Sequence, residues 1–144
     1  MTNREMAQSY LRTAEYSLKQ AKAAYADGVW HLVIRRCQES VEMALKGVLR
    51  YLGLEIPRVH DVGSFIKDHR DSFPEWFREH VDRVAYISRG LRKDRETSIY
   101  GEEEVALPPE RIFSKFDADE AMRNASFVLD VCKRLFEELD EQGG

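Results

Sequence analysis

Four cations, Arg89, Arg92, Lys93 and Arg95, fall within seven residues, with Asp94 the only carboxylate among them. Guanidinium groups grip phosphate through paired N–H donors, so such a tract suits a nucleotide or an RNA backbone. The same tract also fits a solvated helix end, favoured by the negative pole of the helix dipole and paired with Glu102, Glu103 and Glu104. Tyr100 follows Arg95 by five positions and offers a hydroxyl. A tyrosine hydroxyl, whose ordinary pKa is about 10, donates a hydrogen bond well but is a poor general base near pH 7.

A second group of charges lies upstream. Arg35, Glu39, Glu42 and Lys46 recur at three- and four-residue steps, so they share one side of a helix and can pair along it. Glu42 and Lys46 form an i,i+4 pair in the favourable orientation, enough to support a helix by ~0.2–0.5 kcal/mol. Asp61 suits an N-cap, and His60 beside it reads as packing or hydrogen bonding in the turn, so both are read as structural. His31, His60, His69 and His80 form no ligand constellation, so no metal is expected. No phosphate-cradling or dinucleotide-binding glycine fingerprint occurs, and no cofactor is implied.

These residues sit in a chain that reads as helices throughout. A first helix over about 3–26 is signalled by Thr2 and Glu5 at capping-box spacing. Ala7, Leu11, Ala14, Leu18, Ala21 and Tyr25 then step four and three residues apart, and the three alanines predict close approach to a neighbour. Asp27-Gly28 turns the chain into a second helix over about 29–52. Its core seam is Trp30, Ile34, Cys37, Val41, Ala44, Val48 and Leu52, with Leu45 also expected inside. Gly53 ends that helix and Pro57 blocks its continuation.

A short third helix follows Asp61 and carries Val62, Phe65 and Ile66. Ser72 and Glu75 read as a capping-box pair around Pro74, opening a fourth helix with Phe77, Val81, Val84 and Leu91 on its seam. Gly90 weakens that helix and leaves its end between about 89 and 99. A long loop covers about 100–116, beyond the usual helix connection and so functional or mobile. The last helix, about 117–139, starts at Asp117 as N-cap, with Ala121, Ala125, Val128, Cys132, Leu135 and Leu139 inside. Glu137, Glu138, Asp140 and Glu141 oppose the dipole, so its end should fray. The expected fold is all-α, an up-and-down four-helix bundle with an additional short helix, in one domain over 1–144.

Composition sets outer limits. At 144 residues the chain can bury roughly 70% of its unfolded surface. A net charge of −4 argues against a general nucleic-acid surface, and DNA binding is not expected. No run approaches the ~20 apolar residues of a membrane span and no signal peptide opens the chain, so a cytoplasmic protein without membrane contact is the expectation. Cys37 and Cys132 fall on apolar seams and read as buried thiols.

The segment RRCQESVEMALKGVLRYLGLEIPRVHD, from Arg35 to Asp61, resembles the HEPN family, together with LRKDRETSIYG at 91–101. The family pattern is roughly Q-x-x-E-x-x-L-K, then Gly, Pro and His-Asp. Glu39 stands in the Gln position, while Glu42, Leu45, Lys46, Gly53, Pro57, His60 and Asp61 match. The resemblance covers nearly the whole chain and extends to the helical domain attached to some antibiotic nucleotidyltransferases, such as that for kanamycin. It implies a small helical protein, commonly a homodimer, that partners a separately encoded nucleotidyltransferase, in some cases as a toxin–antitoxin pair.

The resemblance also implies a partly buried network at Glu42 and Lys46, and function in the segment that holds Arg92, Arg95 and Tyr100. These five are the candidate ligand-binding residues, for a nucleotide or RNA phosphate. Ribonuclease members of the family carry Arg-x4–6-His there, yet no arginine of this chain has a histidine five to seven positions later. Arg95-x4-Tyr100 is the nearest correspondence and makes these two the catalytic candidates, but a tyrosine in the histidine position weighs against a metal-independent ribonuclease. Gly63-Ser64 resembles the Gly-Ser of nucleotidyltransferases without the Asp-x-Asp that should follow, so the chain is not itself the transferase. A purely scaffolding bundle is the third reading and predicts no anion binding.

Overall fold

The computed structural model describes residues 2–55 and 62–143, so Pro57, His60 and Asp61 lie outside the described residues. Among the described residues seven α-helical segments follow one another: α1 (Asn3–Ala26), α2 (Trp30–Tyr51), α3 (Val62–Asp68), α4 (Glu75–Arg78), α5 (Val81–Lys93), α6 (Arg95–Tyr100) and α7 (Lys115–Gly143). The four longest make an up-and-down bundle. Ser40 donates to the Ala14 carbonyl at 2.7 Å while Gly47 faces Ala7, so α1 and α2 run antiparallel. Arg83 lies over the Phe127 ring and Asp94 meets Asp117, which sets α5 antiparallel to α7. Among the described residues the only β contact is an isolated bridge between Glu102 and Leu107.

Close approach of α1 and α2 follows from side-chain size. Ala7, Ala14 and Ala21 are fully buried against the second helix. Opposite them, a Cβ on Gly47 would lie 3.2 Å from the Ala7 carbonyl oxygen, so nothing larger fits without displacement. The seam of α2 is wider than its apolar spacing implies. Val33, Gln38, Ser40, Gly47 and Leu49 are buried as well as Ile34, Cys37, Val41, Ala44, Leu45 and Val48, because α2 touches α1, α3, α5, α6 and α7, whereas Trp30 and Leu52 at its two ends are only half-buried. Leu45, Val84, Val128 and Leu135 are fully buried, and Leu18, Ile34 and Val41 nearly so. Leu11 is only half-buried, packed on the core edge.

The first boundary agrees with the sequence reading and several later ones differ. Thr2 caps α1, accepting from the Glu5 amide at 3.1 Å. Ser72 instead ends a 3-10 turn over Arg70–Ser72, and Pro74 stands at the N-cap of α4 with no side-chain cap. The expected fourth helix is two pieces, because α4 closes after one turn and α5 restarts at Val81. Gly90 does not interrupt α5, which reaches Lys93. At the last helix, Asp117 is not the N-cap. It accepts from the Ser114 amide at 2.8 Å and the Ser114 hydroxyl at 3.0 Å, so Ser114 caps and the helix begins at Lys115.

The expected long loop is organised. Tyr100 closes α6, and Phe116 already belongs to α7. Between them stand 3-10 turns at Glu103–Val105 and Pro109–Arg111 and the Glu102–Leu107 bridge, whose amide bonds measure 2.8 and 3.0 Å. The C-terminal end of α7 runs to Gly143 despite its acidic residues, because two of them have partners elsewhere. Trp76 donates to Glu138, Tyr51 donates to Asp140, and Arg4 reaches Asp140 at 3.2 Å.

Candidate functional site

The basic tract lies at the junction of α5 and α6. Arg89, Lys93 and Arg95 are exposed, Arg92 is half-buried, and the Tyr100 ring is 63% exposed at the end of α6. Among the described residues no ion pair joins Arg89, Lys93 or Arg95 to Glu102, Glu103 or Glu104. For these three cations the mutual neutralisation that the sequence allowed is therefore not made. Ser98, almost fully buried, turns its hydroxyl back onto the Arg95 carbonyl at 2.7 Å and fixes the first turn of α6.

Glu42 and Lys46 pair at 3.7 Å, each about a quarter exposed. Their neighbours on the same stripe pair too, Arg35 with Glu39 at 3.4 Å and Arg36 with Glu39 at 3.0 Å. The two halves of the expected site meet α2 at different heights. Ile34 lines the same pocket as Leu91 and Asp94, so the α5–α6 junction faces the first turns of α2. Glu42 and Lys46 follow Ile34 by eight and twelve residues, or about 12 and 18 Å along the axis at ~1.5 Å per residue. By position, Arg92 and Arg95 at the α5–α6 junction and Tyr100 at the end of α6 form a first group, and Glu42 and Lys46 further along α2 a second.

His31 belongs to the first group's end of the bundle. Its Nε2 lies 3.5 Å from Glu110, in the 3-10 turn that also touches α6. Gly63, by contrast, has a packing role: a Cβ there would come within 2.7 Å of the Ala85 Cα, which accounts for the glycine without nucleotide chemistry.

A feature that the sequence reading passed over is a pocket of about 140 Å³ between α5 and α7. Its floor is apolar, made by Ile34, Ile87, Leu91 and Ala121. Tyr86, Asp94, Asp117 and Glu120 form its wall. Burial, then the neighbouring Asp117 and Glu120, pushes the Asp94 carboxyl above its ordinary range. The signal was present in the sequence, since Tyr86, Gly90 and Asp94 share one helix face, as do Asp117, Glu120 and Asn124. Charge runs on helix faces are common, however, and only the assembled helices show that these enclose a space.

Among the described residues, no group of three or more His, Cys, Asp or Glu side chains is placed to hold a metal. No helix there is long and apolar enough to cross a membrane.

An antiparallel bundle whose second helix is buried on almost every side, with short segments bracing one end, defines a recurrent class of small all-α domain. The family model described as HEPN domain matches residues 7–135, and the chain belongs to the HEPN family. The chain is similar in fold to the crystal structure of ST0689, an archaeal HEPN homologue, at 23% identity and a TM-score of 0.69, covering 90% of this chain and 97% of that one. It is likewise similar to TT1696 from Thermus thermophilus, at 22% identity and a TM-score of 0.72, covering 89% and 96%. A search of curated proteins finds no match.

Proposed function

We propose that this HEPN protein binds a nucleotide or RNA phosphate at the α5–α6 junction, as the partner of a separate nucleotidyltransferase. The observation that carries the reading is the set of exposed cations Arg89, Lys93 and Arg95, left without carboxylate partners among the described residues. Arg92 and Arg95 would grip the phosphate, and the exposed Tyr100 hydroxyl would donate to it. Glu42 and Lys46 would act from α2 by holding that helix's charged stripe in register. A toxin–antitoxin role would then consist of the transferase covering or modifying this end. The partnership itself comes from the family resemblance, and co-purification with an adjacent small nucleotidyltransferase tests it.

Binding of a fluorescein-labelled single-stranded RNA should weaken steeply with salt, because counterion release drives it. Arg95→Ala should lower the slope of log K against log salt by ~0.7, the share of one phosphate contact on a single strand. Unchanged affinity and slope in Arg95→Ala would overturn the assignment.

The competing reading is a metal-independent ribonuclease, and one observation speaks for it. His31 stands at the same end of the bundle as Arg95 and carries an imidazole, the group most often used in general acid–base catalysis, although it lies outside the family's spacing. RNA incubated with the pure chain, with and without divalent metal, should stay intact. Cleavage without metal that is lost in His31→Ala would favour the ribonuclease instead.

A further inference from the structure

We propose that the groove between α5 and α7 is a docking site for a basic segment of a partner protein, which inserts a Lys or Arg side chain between Tyr86 and the carboxylates of Asp94, Asp117 and Glu120. This reading does not rest on the anion site, which uses other residues and the opposite charge.

Three properties of the groove converge. First, its apolar floor suits the hydrocarbon stem of a long cationic side chain, whose head would reach the carboxylates at the wall. Second, those carboxylates face one another with no cation among them. No ion pair engages Asp94, Asp117 or Glu120 among the described residues. Their mutual repulsion is the reason that an incoming positive charge is favoured. Third, large apolar side chains face water in the groove wall and one helical turn beyond it. Tyr86 is 68% exposed, and Phe116, one turn before Glu120 on the same face of α7, is 85% exposed. Aromatic side chains of this kind are enriched where proteins meet, and a Tyr face also attracts an ammonium or guanidinium group.

The same properties select the occupant. Nucleic acid and anionic lipid would bring negative charge against three carboxylates. A small free amine would satisfy the carboxylates but leave Phe116 uncovered. A protein segment with a cationic residue beside apolar ones covers both, and its charge complements the groove.

A fluorescein-labelled Leu-Arg-Leu-Lys-Leu peptide, titrated with the full chain and followed by anisotropy, tests this directly. Binding should weaken about tenfold in Glu120→Lys and in Phe116→Ser, and the counterpart Leu-Glu-Leu-Glu-Leu peptide should not bind. Both substituted residues are on the surface, so helical circular dichroism and Tm should match the parent, and Tyr86→Ser supplies a third variant should either fail to fold. Arg95→Ala should bind the peptide as the parent does, which separates this site from the anion site. Equal peptide binding by parent and all three variants would overturn the proposal. So would spermine binding as tightly as the peptide with the same loss in Glu120→Lys, since the groove would then be an amine pocket. A dimer in the free chain that Phe116→Ser dissociates would also overturn it, because a second copy would then cover the face.

Discussion

Cys37 and Cys132 are fully buried, and burial pushes both thiols from 9.0 up to about 12. At pH 8 a shift of that size leaves on the order of one thiolate in ten thousand, so neither cysteine should react while the fold is intact. Ellman's reagent should label neither residue in the native chain over minutes and both after denaturation; fast labelling of either in the native state would contradict the burial. In the unfolded chain the thiols ionise near 9, whereas folded they stay protonated. The unfolded state therefore gains ionisation as pH rises past 9, and the two cysteines should lower stability progressively between about 9 and 12. Gly101 is fixed by backbone geometry instead. Its φ is 71°, and a Cβ would lie 2.1 Å from the Leu107 carbonyl oxygen. Gly101→Ala should cost more than the ~1–3 kcal/mol of left-handed strain alone, because the Glu102–Leu107 bridge must also open. A drop below ~0.5 kcal/mol in denaturant unfolding would show that the bridge is dispensable.

The helices differ in how plainly the sequence announces them. α1 and α2 were legible almost to the residue, because Thr2, Asp27-Gly28 and Gly53 are chemical stop and start signals and the seams between them are long. The stretch from Ser72 to Phe116 was not, since its breaks are set by tertiary contact. α4 ends after one turn, and its Trp76 is held by Glu138 and Arg134 of α7. The acidic end of α7 was misread for the same reason: its unfavourable dipole is offset by Trp76, Tyr51 and Arg4, which no local rule reveals. At the candidate site the residue types were legible but their grouping was not. Spacing gives no indication that Glu42 and Lys46 lie turns away from the α5–α6 junction, or that Asp94 faces Asp117. The best test at this scale is packing. Leu45→Ala on α2 and Leu135→Ala on α7 each empty a fully buried site and should cost ~2–5 kcal/mol. A surface-like cost within ~0.5 kcal/mol at either position would place its helix in the wrong rotation.

On the scale of the whole molecule, the charge is divided within one end of the bundle. The cations Arg89, Lys93 and Arg95 crowd the α5–α6 junction, while Asp94, Asp117 and Glu120 line the groove beside it, in a chain whose net charge is −4. Such a division lets one face take an anionic ligand and its neighbour a basic partner at once, each at its own site. It also bears on self-association. Four large aromatic residues, Trp30, Tyr51, Trp76 and Tyr86, could serve a dimer contact, but Trp30 packs against Tyr25, Tyr51 against Phe136 and Trp76 against Phe77, all within the chain. Only Tyr86 of that set faces water. We nevertheless propose a homodimer, because the family resemblance implies one and because exposed Tyr16 and Val105 leave apolar surface outside both the α5–α7 groove and the anion-binding residues. A twofold interface built there repeats one patch on both subunits and leaves the groove open. Light scattering at micromolar concentration should give about twice 16.8 kDa, and Phe116→Ser should leave that mass unchanged. A mass of 16.8 kDa for the parent would rule the dimer out without touching the docking site.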